Sequence, residues 1–238
     1  MSVERKDNIT IVSGYWPVYN KNSHKDYCKW FENTLKINQR MYFFCDTPTK
    51  DVILPYRENL ETIFVEYPIN KFYSNYLYSK SWIHKYEVPS IELGKIWHEK
   101  INLLKIAKDM DGENATDFYV WYDAGASLFR NEPPPSIRLN ITDGNTLPRD
   151  KMWYSTPYPS NGIHTYASTI HIMHKDLIDD VHILYYRLLK KFAASKPKDW
   201  QYASDKMIFT ELMQNYPQLF CKIATGYGEN IRELYKML

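Results

Sequence analysis

Residues 117–125 read Asp-Phe-Tyr-Val-Trp-Tyr-Asp-Ala-Gly, and the reading of this stretch decides the fold. Phe118 to Tyr122 are five apolar or aromatic residues in a row, the pattern of a strand buried on both faces. Asp123 marks the strand end, and Ala124 and Gly125 leave room for a ligand to approach the backbone. An aspartate after a strand also caps turns, so its carboxylate has two roles open to it.

Working outward, residues 91–110 predict a long amphipathic helix leading directly into that strand. Its inward stripe runs Leu93, Ile96/Trp97, Lys100, Leu103/Leu104, Ala107. A lysine inside such a stripe is costly unless its amine finds a partner, a diphosphate or a carboxylate, or snorkels to water. Further upstream, Thr10–Trp16 reads as a strand running into a small-residue turn. Ser23 caps a helix over 24–37, with Tyr27, Trp30, Phe31, Leu35 and Ile37 at helical spacing. Met41–Cys45 is a second strand ending in Asp46 before a Thr-Pro turn, residues 51–60 a short helix interrupted at Pro55, and Thr62–Tyr67 a third strand. Strand and helix alternating in this way predict α/β architecture, a parallel sheet with crossover helices. Downstream, 152–155 and 168–173 read as strands, 176–193 and 203–215 as helices, and the tail from Gly226 as short helix or coil. Two long connections stand out, 69–90 (with Tyr73, Tyr76, Tyr78, Trp82 and Tyr86) and the proline-rich 130–150, as binding loops or surface excursions.

The chain has 238 residues, 44% hydrophobic and 24% charged, which fits one sizeable core and a single domain over 1–238, with 1–8 flexible. Its 21 tyrosines and 7 tryptophans suit stacking on sugars as well as core filling. Net charge is +2 with no basic run, which argues against nucleic acid as partner. Cys28, Cys45 and Cys221 are odd in number and far apart, without zinc spacing, and point to a reducing compartment. With no signal-like start and no apolar run long enough for a membrane span, a cytoplasmic protein is expected, and Asn8, Asn114 and Asn140 read as chance glycosylation motifs.

In an open parallel sheet, ligands bind past the carboxyl ends of the strands, near the point where strand order reverses. The residues placed there are Ser13, Gly14, Tyr15 and Trp16, then Asp46, and Asp123, Ala124 and Gly125. Carboxylate oxygens at such an edge suit Mg²⁺ or Mn²⁺ better than zinc. Asp205 opens a helix and serves either its dipole or a site. His164, His171 and His174 are candidate metal ligands, but on one strand His171 and His174 face opposite ways, which favours structural roles.

Together the segments ITIVSGYWPV, KWFENTLKIN, VWYDAG and SDKMIF, in that order over residues 9 to 225, resemble the HtrL/YibB-type family. That family looks like a branch of the GT-A glycosyltransferases of bacteria and large viruses. The resemblance implies one GT-A-type domain with a mixed, mostly parallel sheet that binds a nucleotide-sugar and Mn²⁺ or Mg²⁺. It puts Ser13–Tyr15 and Asp46 against the nucleotide, Asp123 on the ribose and metal, and Asp205 near the transferred sugar or the acceptor, as a catalytic base if the reaction inverts. Gly125 stands where GT-A enzymes carry a second aspartate, which leaves Asp123 alone as the metal ligand, Asp123 helped by Asp205 or a histidine, or a reaction without a metal. The expected activity is transfer of a sugar from a nucleoside-diphosphate sugar to a hydroxyl acceptor, a glycan. The alternatives are a sugar nucleotidyltransferase, which would want a basic Gly-rich loop that Ser13-Gly14-Tyr15-Trp16 does not supply, and a non-catalytic carbohydrate-binding protein.

Overall fold

Ile9–Gly14 (β1), Met41–Cys45 (β2) and Thr62–Glu66 (β3) lie side by side and parallel, and Phe118–Tyr122 (β4) pairs parallel with the other edge of β1. All residues of β2 and β4 are buried, which is why both read as unbroken apolar runs. The structure, a computed structural model, describes residues 8–76, 82, 83, 87–141, 148–157, 166–195 and 204–237.

Met152–Thr156 (β5), Ile170–His174 (β6) and Phe220–Thr225 (β7) complete a seven-stranded sheet in the order β3-β2-β1-β4-β6-β5-β7. Only β6 runs against its neighbours, and β5 and β7 are again parallel. The sheet is therefore mixed and mostly parallel. The sequence reading missed β7. Its residues, Phe-Cys-Lys-Ile-Ala-Thr, are largely half-exposed at the sheet edge, and the β5–β7 register slips at Tyr154/Ser155, so no clean alternation survives.

Alternate strand residues feed opposite faces. Val12, Tyr119 and Trp121 face the helices Ile91–Asp111, Ile178–Ser195 and Asp205–Asn215, whereas Ile11, Phe118, Val120 and Tyr122 face His24–Thr34, Thr47–Ile53 and Glu229–Lys236. In chain order these helices are α1 (24–34), α2 (47–53), α3 (91–111), α4 (178–195), α5 (205–215) and α6 (229–236). The result is an α/β domain with helices on both faces of the sheet. Among the described residues no helix is long and apolar enough to cross a membrane.

Two helix boundaries differ from the sequence expectation for local reasons. α2 begins at Thr47, not Asp51, because Asp46 caps it and Pro48 occupies the first turn, where a missing N–H costs nothing. α1 stops at Thr34, short of Ile37, and Arg57 takes over its open end. The Arg57 guanidinium donates to the carbonyls of Leu35, Ile37, Gln39 and Glu61 and to Thr62 Oγ1. Burial lowers the pKa of this arginine to about 10, yet it is surrounded by acceptors, four carbonyls and one hydroxyl.

The 69–90 connection is in part a strap on α3. Glu99 accepts the backbone N–H groups of Tyr73 and Ser74, and Tyr73 packs edge-on against Tyr186. Tyr78 and Tyr86 lie outside the described residues. In the 130–150 connection, Leu139 and Ile141 are buried in the α1/α2 face of the core.

From β3 the chain returns through α3 to β4, on the opposite side of β1 from β2 and β3. Connections thus diverge between β1 and β4, and the carboxyl ends of these two strands open a crevice.

Candidate active site

Lys100 enters this crevice from α3 and is 3% exposed. Its ammonium lies 3.0 Å from Asp123 Oδ1 and 2.9 Å from Asp205 Oδ2, and donates to the Ser168 carbonyl at 2.9 Å. Ion-paired with two carboxylates and hydrogen-bonded to one carbonyl, the lysine does not snorkel. Ser168 Oγ donates to Asp205 Oδ1 at 2.8 Å, and Trp121 Nε1 donates to Asp123 Oδ1 at 2.7 Å. α3, α5 and β4 each contribute one charged group to a single cluster.

The electrostatics separate the two carboxylates. Burial disfavours the Lys100 ammonium, but Asp123 and Asp205 outweigh it and hold its pKa above the ordinary lysine value. For Asp205, burial acts to raise the pKa, and the Lys100 charge brings it below the usual range. For Asp123, burial prevails over Lys100, and the nearby Asp205 charge adds to the rise. Asp205 is 2% exposed, whereas the Asp123 side chain is 34% exposed. Both Asp205 oxygens are engaged. Asp205 is therefore spent on the lysine, whereas Asp123 keeps one oxygen, Oδ2, at the crevice without a protein partner among the described residues.

The crevice continues as two adjoining cavities. An inner one of about 150 Å³ reaches Gly14, Tyr15, Trp16, Trp97, Ala124 and Gly125. An outer one of about 620 Å³ reaches Lys21, Ser204, Asp205, Lys206 and Tyr227. Asn20, Tyr27, Trp97, Lys100, Asp123, Arg130 and Thr169 line both. The outer cavity falls within the size of pockets that enclose small ligands.

Of the residues singled out from sequence, Gly14, Tyr15, Lys100, Asp123, Ala124, Gly125 and Asp205 come together here. Ser13 does not face the cleft. It is fully buried and donates to the Tyr122 carbonyl at 2.7 Å, tying β1 to the strand that carries Asp123. Asp46 stands apart as well, because β2 is one strand removed from the crevice and its Oδ1 accepts from Thr49 N–H at 3.0 Å. A Cβ on Gly14 would lie 2.8 Å from the Trp16 ring and 2.9 Å from the Phe44 carbonyl, so packing already demands glycine there. His171 is fully buried with Nδ1 against Tyr166 OH, and burial with the Lys100 charge lowers its pKa well below that of a free imidazole, keeping it neutral. His174 caps the turn at Asp176, and His164 lies outside the described residues.

The sequence matches no protein-family model, and no curated protein matches it. Among solved structures the chain is similar to one described as PaToxG glycosyltransferase, at 14% identity over 89% of this chain and 70% of that one, with a TM-score of 0.47. It is also similar to 4-diphosphocytidyl-2C-methyl-D-erythritol synthase from Anaerococcus prevotii, at 10% identity over 94% of this chain and 91% of that one, with a TM-score of 0.43. These are distant likenesses of outline, and the chemistry of the cleft rests on its own residues.

Sequence reasoning passed over Arg130, Tyr27 and Trp97. Arg130 donates from Nε to the Gly125 carbonyl at 2.9 Å and lies 3.4 Å from the Trp30 ring centroid. Its signal was faint, an arginine five residues beyond Gly125 in a loop without periodicity. Tyr27 and Trp97 read as core positions on their helices and instead form the cleft wall.

Position 125 has no room for a side chain. A Cβ on Gly125 would lie 2.8 Å from the Tyr27 ring and 3.2 Å from Trp30. Tyr27 is itself held by Tyr15, Trp30 and Asn20. Gly125→Asp is therefore expected to displace the Tyr27 ring and lower the melting temperature by several degrees, on the order of 1–3 kcal/mol for overpacking. Differential scanning fluorimetry checks it, and an unchanged or higher melting temperature would show that the wall yields freely.

Among the described residues no group of three or more His, Cys, Asp or Glu side chains is arranged to hold a metal ion. Asp123 Oδ2 is the available carboxylate donor. Mg²⁺ and Mn²⁺ are often held by one or two carboxylates with substrate phosphates and water completing the shell. The residues fit an ion that arrives with a diphosphate, not one caged by the protein.

Proposed function

We propose that the cleft binds a nucleoside-diphosphate sugar and that the chain is a glycosyltransferase of the GT-A type, moving the sugar to a hydroxyl acceptor, a glycan. The observation that carries this reading is the Lys100 ammonium fixed between Asp123 and Asp205 at the crevice between β1 and β4, with one Asp123 oxygen open to the cleft. Two segments of the HtrL/YibB resemblance, VWYDAG and SDKMIF, support it, because their aspartates converge on one lysine.

Glycosyl transfer breaks the anomeric C–O bond while negative charge grows on the departing diphosphate. Lys100 supplies a fixed positive charge in a buried setting, where it acts without reorganising. Paired with two carboxylates, it acts through its field and through its hold on Asp123. Asp123 would hold Mg²⁺ or Mn²⁺, which when bound supplies Lewis-acid stabilisation of phosphoryl oxygens. Asp205 is a positioning residue in this scheme. A general base must reach the acceptor hydroxyl, and a carboxylate ion-paired with Lys100, bonded to Ser168, 2% exposed and with a lowered pKa is ill placed to do so.

Calorimetry with UDP- and GDP-sugars, with and without Mn²⁺, followed by an assay for released nucleoside diphosphate, tests the proposal. The expected result is nucleotide binding strengthened by Mn²⁺ and release of the diphosphate. Failure to bind any nucleotide while binding free glycans would identify a carbohydrate-binding protein instead. Release of pyrophosphate from a nucleoside triphosphate and a sugar phosphate would identify a nucleotidyltransferase.

A further inference from the structure

We propose that Arg130 is the residue that recognises the diphosphate in this cleft, by a fork of two guanidinium N–H groups on phosphoryl oxygens. The inference rests on the nucleotide-sugar reading above and adds the group that meets the anion.

Asp123 presents negative charge to the cleft, so a phosphate entering beside it needs a cation on the same wall. The inner cavity is lined by two cations, Lys100 and Arg130. The Lys100 charge is already paired with Asp123 and Asp205, and its ammonium donates to the Ser168 carbonyl. Arg130 pairs with no carboxylate among the described residues. Its Nε is held by the Gly125 carbonyl and its plane lies on the Trp30 ring, which leaves the Nη edge open. A guanidinium fixed in this way has lost little freedom still to lose on binding, and its planar edge matches two phosphoryl oxygens. Burial lowers its pKa, the mark of a cation in want of a counter-charge.

The same contacts explain why Gly125 and Arg130 belong together. The Tyr27–Trp30 wall fills the space a side chain at position 125 would need, and that wall is the platform for Arg130. A carboxylate at 125 would also sit beside the guanidinium and take its charge. In place of a second metal-binding carboxylate, this chain offers a cation directly.

The test compares wild type, Arg130→Gln and Arg130→Lys for binding of UDP against uridine and of GDP against guanosine, by calorimetry and, for the weak nucleosides, ligand-observed NMR. In Arg130→Gln, affinity for the preferred diphosphate is expected to fall about 10- to 100-fold with nucleoside affinity unchanged. The salt dependence of diphosphate binding should flatten in the same variant. Arg130→Lys should recover part of the loss, since it restores charge without the fork. Equal loss for diphosphate and nucleoside, or no loss for either, in both variants would overturn the role of Arg130 and leave the nucleotide site standing. A wild-type protein that binds no nucleoside diphosphate would overturn both.

Discussion

Asp123→Ala is expected to reduce sugar transfer, or hydrolysis of the nucleotide-sugar, by about two to three orders of magnitude, the size of effect seen when one group stabilising transition-state charge is removed. The variant loses the open Oδ2 and also the Oδ1 that holds Trp121 Nε1 and one Lys100 donor. Asp123→Asn separates these losses, because an amide oxygen can still accept from Trp121 while the charge is gone. Both variants should stay folded. Asp123 carries a raised pKa and is partly exposed, and Lys100 keeps Asp205 and the Ser168 carbonyl. Assays for released nucleoside diphosphate, beside melting curves, decide the matter. Asp123→Ala protein with full activity would remove the strand end from the reaction.

Lys100→Met is expected to cost more in stability, about 3–5 kcal/mol, because it leaves the buried Asp205 carboxylate, with the Asp123 charge beside it, without a cation. For a domain of this size that amounts to a fall of roughly 10 °C or more in melting temperature. The pH dependence should carry a definite sign. With the ammonium gone, burial and mutual repulsion hold both carboxyls above their unfolded-state values, so the folded variant binds more protons than the unfolded chain. Stability then rises as pH falls through those raised values, and is lost as pH rises above them. The wild-type pairing works in the opposite sense at Asp205. Its lowered pKa gives stability that is present above the unfolded-state value and disappears only in acid. The gap in melting temperature between wild type and Lys100→Met should therefore narrow from pH 8 to pH 5. A constant gap would mean that the carboxylates are not ionised together around the lysine.

Much of the scaffold was legible in the residue order. The strands at 41–45 and 118–122 are unbroken apolar or aromatic runs buried on both faces, and those at 9–14 and 62–66 carry shorter apolar runs, the latter half-buried at the sheet edge. The long helix announced itself by its stripe, with Lys100 the one discordant residue. The 220–225 strand was illegible because Lys222 and Ala224 interrupt it where Ile63-Phe64-Val65 keep β3 continuous, and it lies half in water at the sheet edge. The antiparallel course of β6 was equally hidden, since strand direction depends on pairing and not on composition.

The site divides in the same way. Asp123 could be picked out because a strand end, two small residues and a preceding apolar run are local features. Asp46 has nearly the same local features and became a helix cap, because β2 lies one strand away from the crevice. Arg130 had no local signature, and its standing comes from Trp30 and the Gly125 carbonyl.

By itself, then, the sequence determined the layered α/β pattern and the candidate carboxylate at Asp123, since strand burial, helix periodicity and turn chemistry act over a few residues. Only the tertiary structure decided what Asp123 faces. Lys100, Asp205, Ser168, Tyr27 and Arg130 come from α3, α5, α1 and two loops, and they meet because the connections diverge between β1 and β4. Charge acts through space over a few ångströms and takes no account of sequence distance. Which carboxylate is spent on the lysine, and which is left for a ligand, is therefore a property of the fold.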